Sequence, residues 1–469
     1  MLRNWKKLLA GAALFAALPW LAGFSLYGPG GAEGIAAKSW QLPAANAGWD
    51  IGYNIAGLDI GAPVAADEAY RWNIPEITYG FDEAFMRFFG TNGVKEIDKA
   101  IRIFNELPPV SRMSADLSEF PLNTTHLNYE AAQLGLIDLK SVTLSLLVEH
   151  MGLGDSVRWV YALRERINFP GIGVYSVIRY NYDPVTLAPS SYVNGTLYTY
   201  HILEIPPPVM FSDAVEDIPP GINEPVNIPI SSLSLSPALS GYFYDGLTRD
   251  DVGGLRFLYT PRNIVAETLL PGTVPGSGTW SPFIGTNFLG GNTNAVGTNA
   301  LTTAGKRGGV NHVRFRKVHY DTQFFTPFNQ TYRDRVVVGG QVVQQSVVRA
   351  VTIPDILFTV TDIHPAVADR TTTANWINNE LINGVSANGG PGTITPPVVI
   401  SFNKQLPFKQ NITPFFVTEP FVTDTNARIN LLLSRTWASF DGSTNPPIIY
   451  PTYLNYTIDN VRNNARLNQ

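Results

Sequence analysis

The chain has 469 residues, with 33 Lys and Arg against 38 Asp and Glu, and its formal net charge of -5 argues against nucleic acid or an anionic membrane as partner. Hydrophobic residues at 45% with 15% charged residues describe a globular chain and exclude a disordered one. The absence of Cys excludes disulfide support, a thiolate nucleophile and lipid attachment through Cys.

Residues 1–24 read as a secretory signal peptide. Arg3, Lys6 and Lys7 form its charged start, and Leu8 to Ala22 form an apolar run interrupted by Pro19. The small residues Ala22, Gly23 and Ser25 offer cleavage points. That run is short for a spanning helix, and no second long apolar run follows. The expectation is a secreted or periplasmic protein without an integral membrane segment. Loss of the three basic residues would take the net charge to about -8. The remaining ~445 residues are too many for one ordinary core and point to two or three domains.

Residues 25–70 are Gly- and Ala-rich with isolated Trp40, Trp49 and Ile51, an extended arm pinned by aromatics. Residues 71–262 read as an α+β domain. Trp72 to Asp82 is a strand and Glu83 to Phe89 a short helix. Thr91-Asn92-Gly93 is a turn, and Val94 to Leu107 is an amphipathic helix with Ile97, Ala100, Ile101, Ile103 and Phe104 on or near one face. Pro108-Pro109 stops it. Asn128 to Leu134 is a further short helix. The central helix follows in Leu139 to Asp155, with Asp138 as N-cap and Gly152 and Gly154 to supply the left-handed residue that ends helices. Arg158 to Arg166 adds another helical turn or two.

From Gly171 the period alternates. Tyr175 to Tyr182 and Thr196 to Ile205 are strands, and Asn194-Gly195 is the strongest hairpin signal in the chain. Residues 206–236, rich in Pro, read as irregular loop. A helix from Arg249 to Leu258 closes the domain, with Thr248 as N-cap and Asp251 three residues on.

Residues 263–311 are a Gly-, Asn- and Thr-rich connector. Residues 312–469 read as a β-sandwich-like domain, with strands at Val313 to His319, Tyr332 to Val338 and Gln341 to Val351, the last two joined across Gly339-Gly340. Further strands are expected at Ile356 to Val360, Val398 to Phe402, Phe415 to Val422, Ile429 to Leu433 and Ile448 to Tyr453.

Two resemblances bear on this layout. Arg71 to Tyr79, Leu247 to Tyr259 and the end of the central helix, Met151-Gly152-Leu153-Gly154-Asp155, resemble structural positions of matrixin-like metalloproteases. Such a site needs two His at i and i+4, a Glu beside the first, and a Gly before a third ligand. With Gly152 set on that glycine, Ser145 and Glu149 take the His positions, Leu146 the general base and Asp155 the third ligand. Leu146 cannot accept a proton and Ser145 is a poor zinc ligand, so the resemblance implies a scaffold without the zinc-binding motif. Tyr70 to Leu107, Phe324-Phe325-Thr326-Pro327 and Trp437 to Pro447 resemble uncharacterised large secreted bacterial proteins. That second likeness implies export and architecture, and supplies no catalytic residue.

The six His, at 126, 150, 201, 312, 319 and 364, include no i, i+4 pair. His312 and His319 differ by an odd number, so on one uninterrupted strand they face opposite ways. There is no G-x-S-x-G elbow and no phosphate-cradling glycine loop. Asp250-Asp251 fit the first turn of a helix on dipole grounds alone, and Glu216-Asp217 and Asp362 fall in expected loops without a partner. Aromatics make up 12% of the chain and could line a carbohydrate groove, although in a β-rich protein they more often fill the core. The reading is therefore an exported, non-catalytic structural or binding protein whose partner is an envelope or extracellular polymer. No catalytic, cofactor-binding or metal residue is assigned and no cofactor is expected. The competing reading is a secreted hydrolase, a divergent metzincin-like metalloprotease drawing ligands from elsewhere, such as His126 or His201.

Overall fold

The computed structural model describes residues 24–25, 70–153, 160–169, 172–179, 181–205, 211–217, 240–276, 301–320, 325–361, 370–378, 392–404, 436–442 and 446–452. Most of the expected signal peptide and arm, the strands expected at 415–422 and 429–433, and Asp155, His364 and Asp362 lie outside these residues.

The chain opens with β1 (Phe24–Ser25), β2 (Glu76–Phe81) and α1 (Glu83–Asn105). Next come β3 (Thr125–Leu127), α2 (Tyr129–Gln133), β4 (Leu136–Asp138) and α3 (Leu139–His150). Two hairpin-forming strands, β5 (Tyr161–Phe169) and β6 (Ile172–Arg179), precede the short β7 (Asn181–Tyr182), β8 (Tyr192–Val193) and β9 (Thr196–Leu197). Then follow β10 (Thr199–Ile205), β11 (Phe211–Asp217), β12 (Tyr242–Tyr244) and α4 (Arg249–Tyr259). The remainder is strand only: β13 (Val265–Thr268), β14 (Thr273–Pro275), β15 (Ala304–Arg307), β16 (Arg314–Lys317), β17 (Phe328–Val338) and β18 (Gln341–Val351). The last are β19 (Ile356–Thr361), β20 (Arg370–Asn378), β21 (Gly392–Asn403), β22 (Thr436–Ser439) and β23 (Ile448–Ile449). The described residues thus form a mixed, sheet-rich protein with four helices. Among them no helix is long and apolar enough to cross a membrane.

Local signals behave as their chemistry requires. Asp138 caps α3 by accepting from the Ser141 N–H at 2.9 Å. Thr248 and Asp251 form a reciprocal capping box at the start of α4. Asn194 and Gly195 both adopt positive φ between β8 and β9, and Gly339 and Gly340 do so between β17 and β18. These are the left-handed pairs that match strand twist in two-residue hairpins.

Elsewhere tertiary structure overrides the local reading. The turn expected at Thr91-Asn92-Gly93 is helical, and the break between the two expected helical segments falls just before it, at Gly90 (φ 60°, ψ -163°). The helical turns expected over Arg158 to Arg166 give way to β5, which pairs along β6. That segment contains good helix formers, and hairpin pairing outweighs their weak preference. Part of the irregular stretch 206–236 is β11, antiparallel to β10 over seven register pairs. The connector contributes β13, β14 and β15 to a sheet of order β13-β15-β17-β18-β14.

The expected two-domain layout is not confirmed. A second five-stranded sheet has the order β16-β2-β19-β21-β20, and β2 lies parallel to both β16 and β19. A strand from before the connector therefore lies between two from after it in one sheet. The core has the same mixed origin. Phe85 and Phe89 of α1 meet Phe358, Phe402, Trp437 and Tyr450, with Phe89 and Tyr450 rings 5.0 Å apart and Phe402 and Trp437 rings 5.4 Å apart. Each such buried aromatic is worth roughly 1.5–3 kcal/mol in transfer free energy, with about 0.5–1.5 kcal/mol more per well-oriented ring pair.

Three buried ion pairs are built into the described core: Arg307–Asp334 joins neighbouring strands of one sheet, while Arg71–Glu267 and Arg349–Asp355 link strands of the antiparallel sheet to segments outside it. Asp355 also accepts from the Thr78 N–H and hydroxyl, both at 2.7 Å, which locks β2 onto the start of β19.

Candidate functional site

The central helix α3 is a core element. Val142, Leu144, Ser145, Leu146, Leu147 and Val148 are all buried, and only Lys140 and Glu149 of the helix reach partly toward solvent. Ser145 and Glu149 lie one turn apart, as expected, but the Ser145 hydroxyl is sealed in without a hydrogen-bond partner and Glu149 is only partly buried. Among the described residues no three His, Asp or Glu side chains are grouped to hold a metal ion. The helix end does match its expected geometry: Gly152 has φ +103°.

His150 is also part of this core. Its carbonyl accepts from the Trp72 indole N–H at 2.8 Å, and its Nε2 is buried without a partner. Burial pushes the imidazole down to about 4, so it is neutral in the fold. Asp138 is pushed the other way, up to about 6, by burial against the opposing pull of Lys140 and the Ser141 hydrogen bonds. The two have opposite consequences. Between pH 6.5 and 4 the unfolded chain protonates His150 while the folded chain does not, so acidification destabilises the fold. Between pH 6 and 3.8 the folded chain keeps on Asp138 a proton that the unfolded chain releases, so acidification stabilises it. His150→Leu is expected to remove the first contribution, up to about 1.4 kcal/mol per pH unit within its window. Urea unfolding at pH 7 and pH 4.5 would show it as a smaller acid-induced loss in the variant than in the parent.

The remaining His occupy separate places. His126 on β3 pairs with Asp245 at 2.7 Å and stacks on the Phe243 ring at 5.3 Å, half-exposed, with no described hydroxyl bonded to its ring. His201 on β10 pairs with Asp217 on β11 at 2.7 Å, and the Thr199 hydroxyl bonds to the same carboxylate. The Glu216-Asp217 pair thus stands on a strand, with Asp217 engaged across it. Asp250 and Asp251 sit in the first turn of α4, where the Asn194 side chain accepts from the Asp250 N–H at 3.0 Å. His312 lines a small apolar cavity with Phe104, Met151, Leu255 and Tyr259, and its imidazole is held below the ordinary range by burial and by Arg314. His319 lies instead on an open groove.

Among the described residues, that groove brings basic and aromatic side chains together. It is lined by Arg316, Val318, His319, Phe325, Thr326 and Phe328 and has a volume of about 320 Å³. It runs beside β16, an edge strand whose Arg314, Arg316 and Lys317 are exposed while Phe315 points into the core. The Arg316 guanidinium stands 4.4 Å from the Phe328 ring centre and 2.9 Å from Glu76. Phe325 packs between Tyr320 and Phe328, with ring centres 5.7 and 6.5 Å away. Aromatic rings therefore flank a guanidinium and an imidazole in an open groove, with Glu76 beside the guanidinium, a combination that can hold a ring by stacking and an anionic substituent by charge where it competes with Glu76. Sequence reasoning passed over it because Arg316 and His319 read as one strand and Phe325 as part of a family likeness. The signal was present as basic residues at 314, 316 and 317 followed by aromatics at 320, 324, 325 and 328.

The chain matches no protein-family model, no curated protein and no solved structure.

Proposed function

We propose that the protein is an exported, non-catalytic binding protein that holds an anionic polymer of the cell envelope or extracellular space. The observation that carries this reading is the groove of Arg316, His319, Phe325 and Phe328. A uronate-bearing polysaccharide suits it best, since sugar faces stack on aromatic rings while carboxylates pair with guanidinium. Its openness suits a chain passing through better than a small molecule that must be enclosed. The reading as a metzincin-like hydrolase has less support, because Leu146 stands where such a site needs a general base and Ser145, in a ligand position, is sealed in the core.

Calorimetric titration with an oligogalacturonide and with a neutral glucan oligomer of equal length tests the proposal. The acidic oligomer is expected to bind in a salt-sensitive way and the neutral one at least tenfold more weakly. Phe328→Ala and Arg316→Gln are each expected to weaken binding by roughly 1–2 kcal/mol. No affinity for the acidic oligomer, or affinity that both variants retain in full, would remove the groove from consideration.

A further inference from the structure

The all-antiparallel five-stranded sheet has two chemically different faces. Along β17 the side chains alternate strictly, with Gln330, Tyr332, Asp334 and Val336 buried and Asn329, Thr331, Arg333 and Arg335 exposed. Register carries this division across the sheet. Val337 stands opposite both Lys306 and Val342, Arg335 opposite Gln344, Arg333 opposite Ser346, and Lys306 opposite Ala266. Residues directly opposite share a face, so Lys306, Arg333 and Arg335 project from the same side. All three are exposed. The nearby carboxylates Glu267 and Asp334 lie on the other face, buried against Arg71 and Arg307. No Asp or Glu occupies the solvent side at these register positions, although the chain as a whole carries -5.

The same hairpin ends in an apolar tip. Around Gly339-Gly340, Val338 is 51% exposed, Val342 63% and Val343 45%. Val342 shares the cationic face through its pairing with Val337, while Val338 and Val343 project from the other side of the tip, so solvated valines surround the end of the hairpin with cations just behind them on one face. Spacing agrees. Arg335 precedes Val338 by three residues, or about 10 Å along a strand. A tip buried by roughly 5–10 Å at the headgroup boundary would therefore bring the Arg335 guanidinium to the phosphates.

We propose that this hairpin docks tip-first on an anionic phospholipid surface, with Val338, Val342 and Val343 of the tip inserted and Lys306, Arg333 and Arg335 of one face toward the headgroup phosphates. An acidic polysaccharide or peptide would account for the cations and leave the valines in water. A second copy meeting the same face by two-fold symmetry would bring like charges together. The net charge of the chain, which taken alone argues against an anionic membrane, is outweighed by the local patch, because at physiological salt charges farther off than about 8 Å are largely screened.

The test is co-sedimentation of the full chain with vesicles of phosphatidylcholine alone and of phosphatidylcholine with an equal part of phosphatidylglycerol. Every variant carries the same residues 1–24, so any contribution of that apolar run cancels between parent and variant. The parent is expected to bind the anionic vesicles and to release as salt rises. Lys306→Gln, Arg333→Gln and Arg335→Gln are each expected to weaken partitioning about fivefold, and together on the order of a hundredfold. Val338→Asp with Val342→Asp should abolish it while far-ultraviolet circular dichroism stays unchanged. Equal binding to neutral vesicles, equal binding by parent and variants, or no binding would each overturn the proposal. So would sedimentation velocity showing a parent dimer that the Val→Asp variant lacks.

Discussion

Replacing Arg71 with Met is expected to destabilise the fold by about 3–5 kcal/mol, read as a lower denaturant midpoint with an unchanged slope. The Arg71 guanidinium meets Glu267 at 2.7 Å and donates to the carbonyls of Leu258, Asn263 and Arg307 at 2.7, 2.9 and 2.9 Å. One side chain thus joins the start of the described fold to the end of α4, to β13 and to β15. Removing it leaves the Glu267 carboxylate buried without its cation, and burial already pushes that carboxyl above the ordinary range. The loss should therefore shrink on acidification, because the folded variant takes up a proton on Glu267 at a pH where the unfolded chain does not. Adding Glu267→Gln should recover part of the loss. It should not recover all of it, since three carbonyls still lack their donor. Arg71→Lys is expected to fall well short of the parent, because an ammonium cannot reproduce the planar fork that reaches four acceptors.

Gly152→Val is the second large effect, about 3 kcal/mol or more. At φ +103° a β-branched residue is strained by roughly 1–3 kcal/mol. A Cβ there would also lie 2.1 Å from the Tyr70 carbonyl oxygen and 3.1 Å from the Leu258 side chain. The obstacle is backbone and cannot rotate away, so overpacking adds a further ~1–3 kcal/mol. Thermal unfolding of Gly152→Ala alongside Gly152→Val would grade the two contributions, with Ala already well below the parent. If Gly152→Ala melted with the parent, the tight approach of α3 to Tyr70 would be wrong.

These two sites also mark what can be read from sequence. Gly152, the caps at Asp138 and Thr248, and the hairpins at Asn194-Gly195 and Gly339-Gly340 were legible because each depends on a few adjacent residues. Arg71 was not. Its partners are 187 to 236 residues away, and nothing local distinguishes it from a solvated Arg. The same separation hid β13, β14 and β15 inside a stretch whose Gly, Asn and Thr content spoke for loop. β5 was misread because its helix formers meet a partner strand. For the candidate site, the placement of Ser145, Leu146 and Glu149 on one helix was legible from the local pattern. The groove escaped notice because Arg316 and Phe328 are brought together by the sheet edge and not by spacing.

The position of β2 has a consequence for how the chain reaches its fold. Its neighbours β16 and β19 come from the far side of the chain, and Thr78 is bonded to Asp355 across 277 residues. At a synthesis rate of roughly 5–20 residues per second, β2 waits about 15–55 seconds for that partner. During the wait both of its edges are unpaired and the apolar side chains of Ile77, Tyr79 and Phe81 lack their cover. High contact order of this kind slows folding and leaves early segments open to misassociation. Fragments that end before residue 314 should therefore be aggregation-prone or chaperone-bound, however complete their helices look on paper.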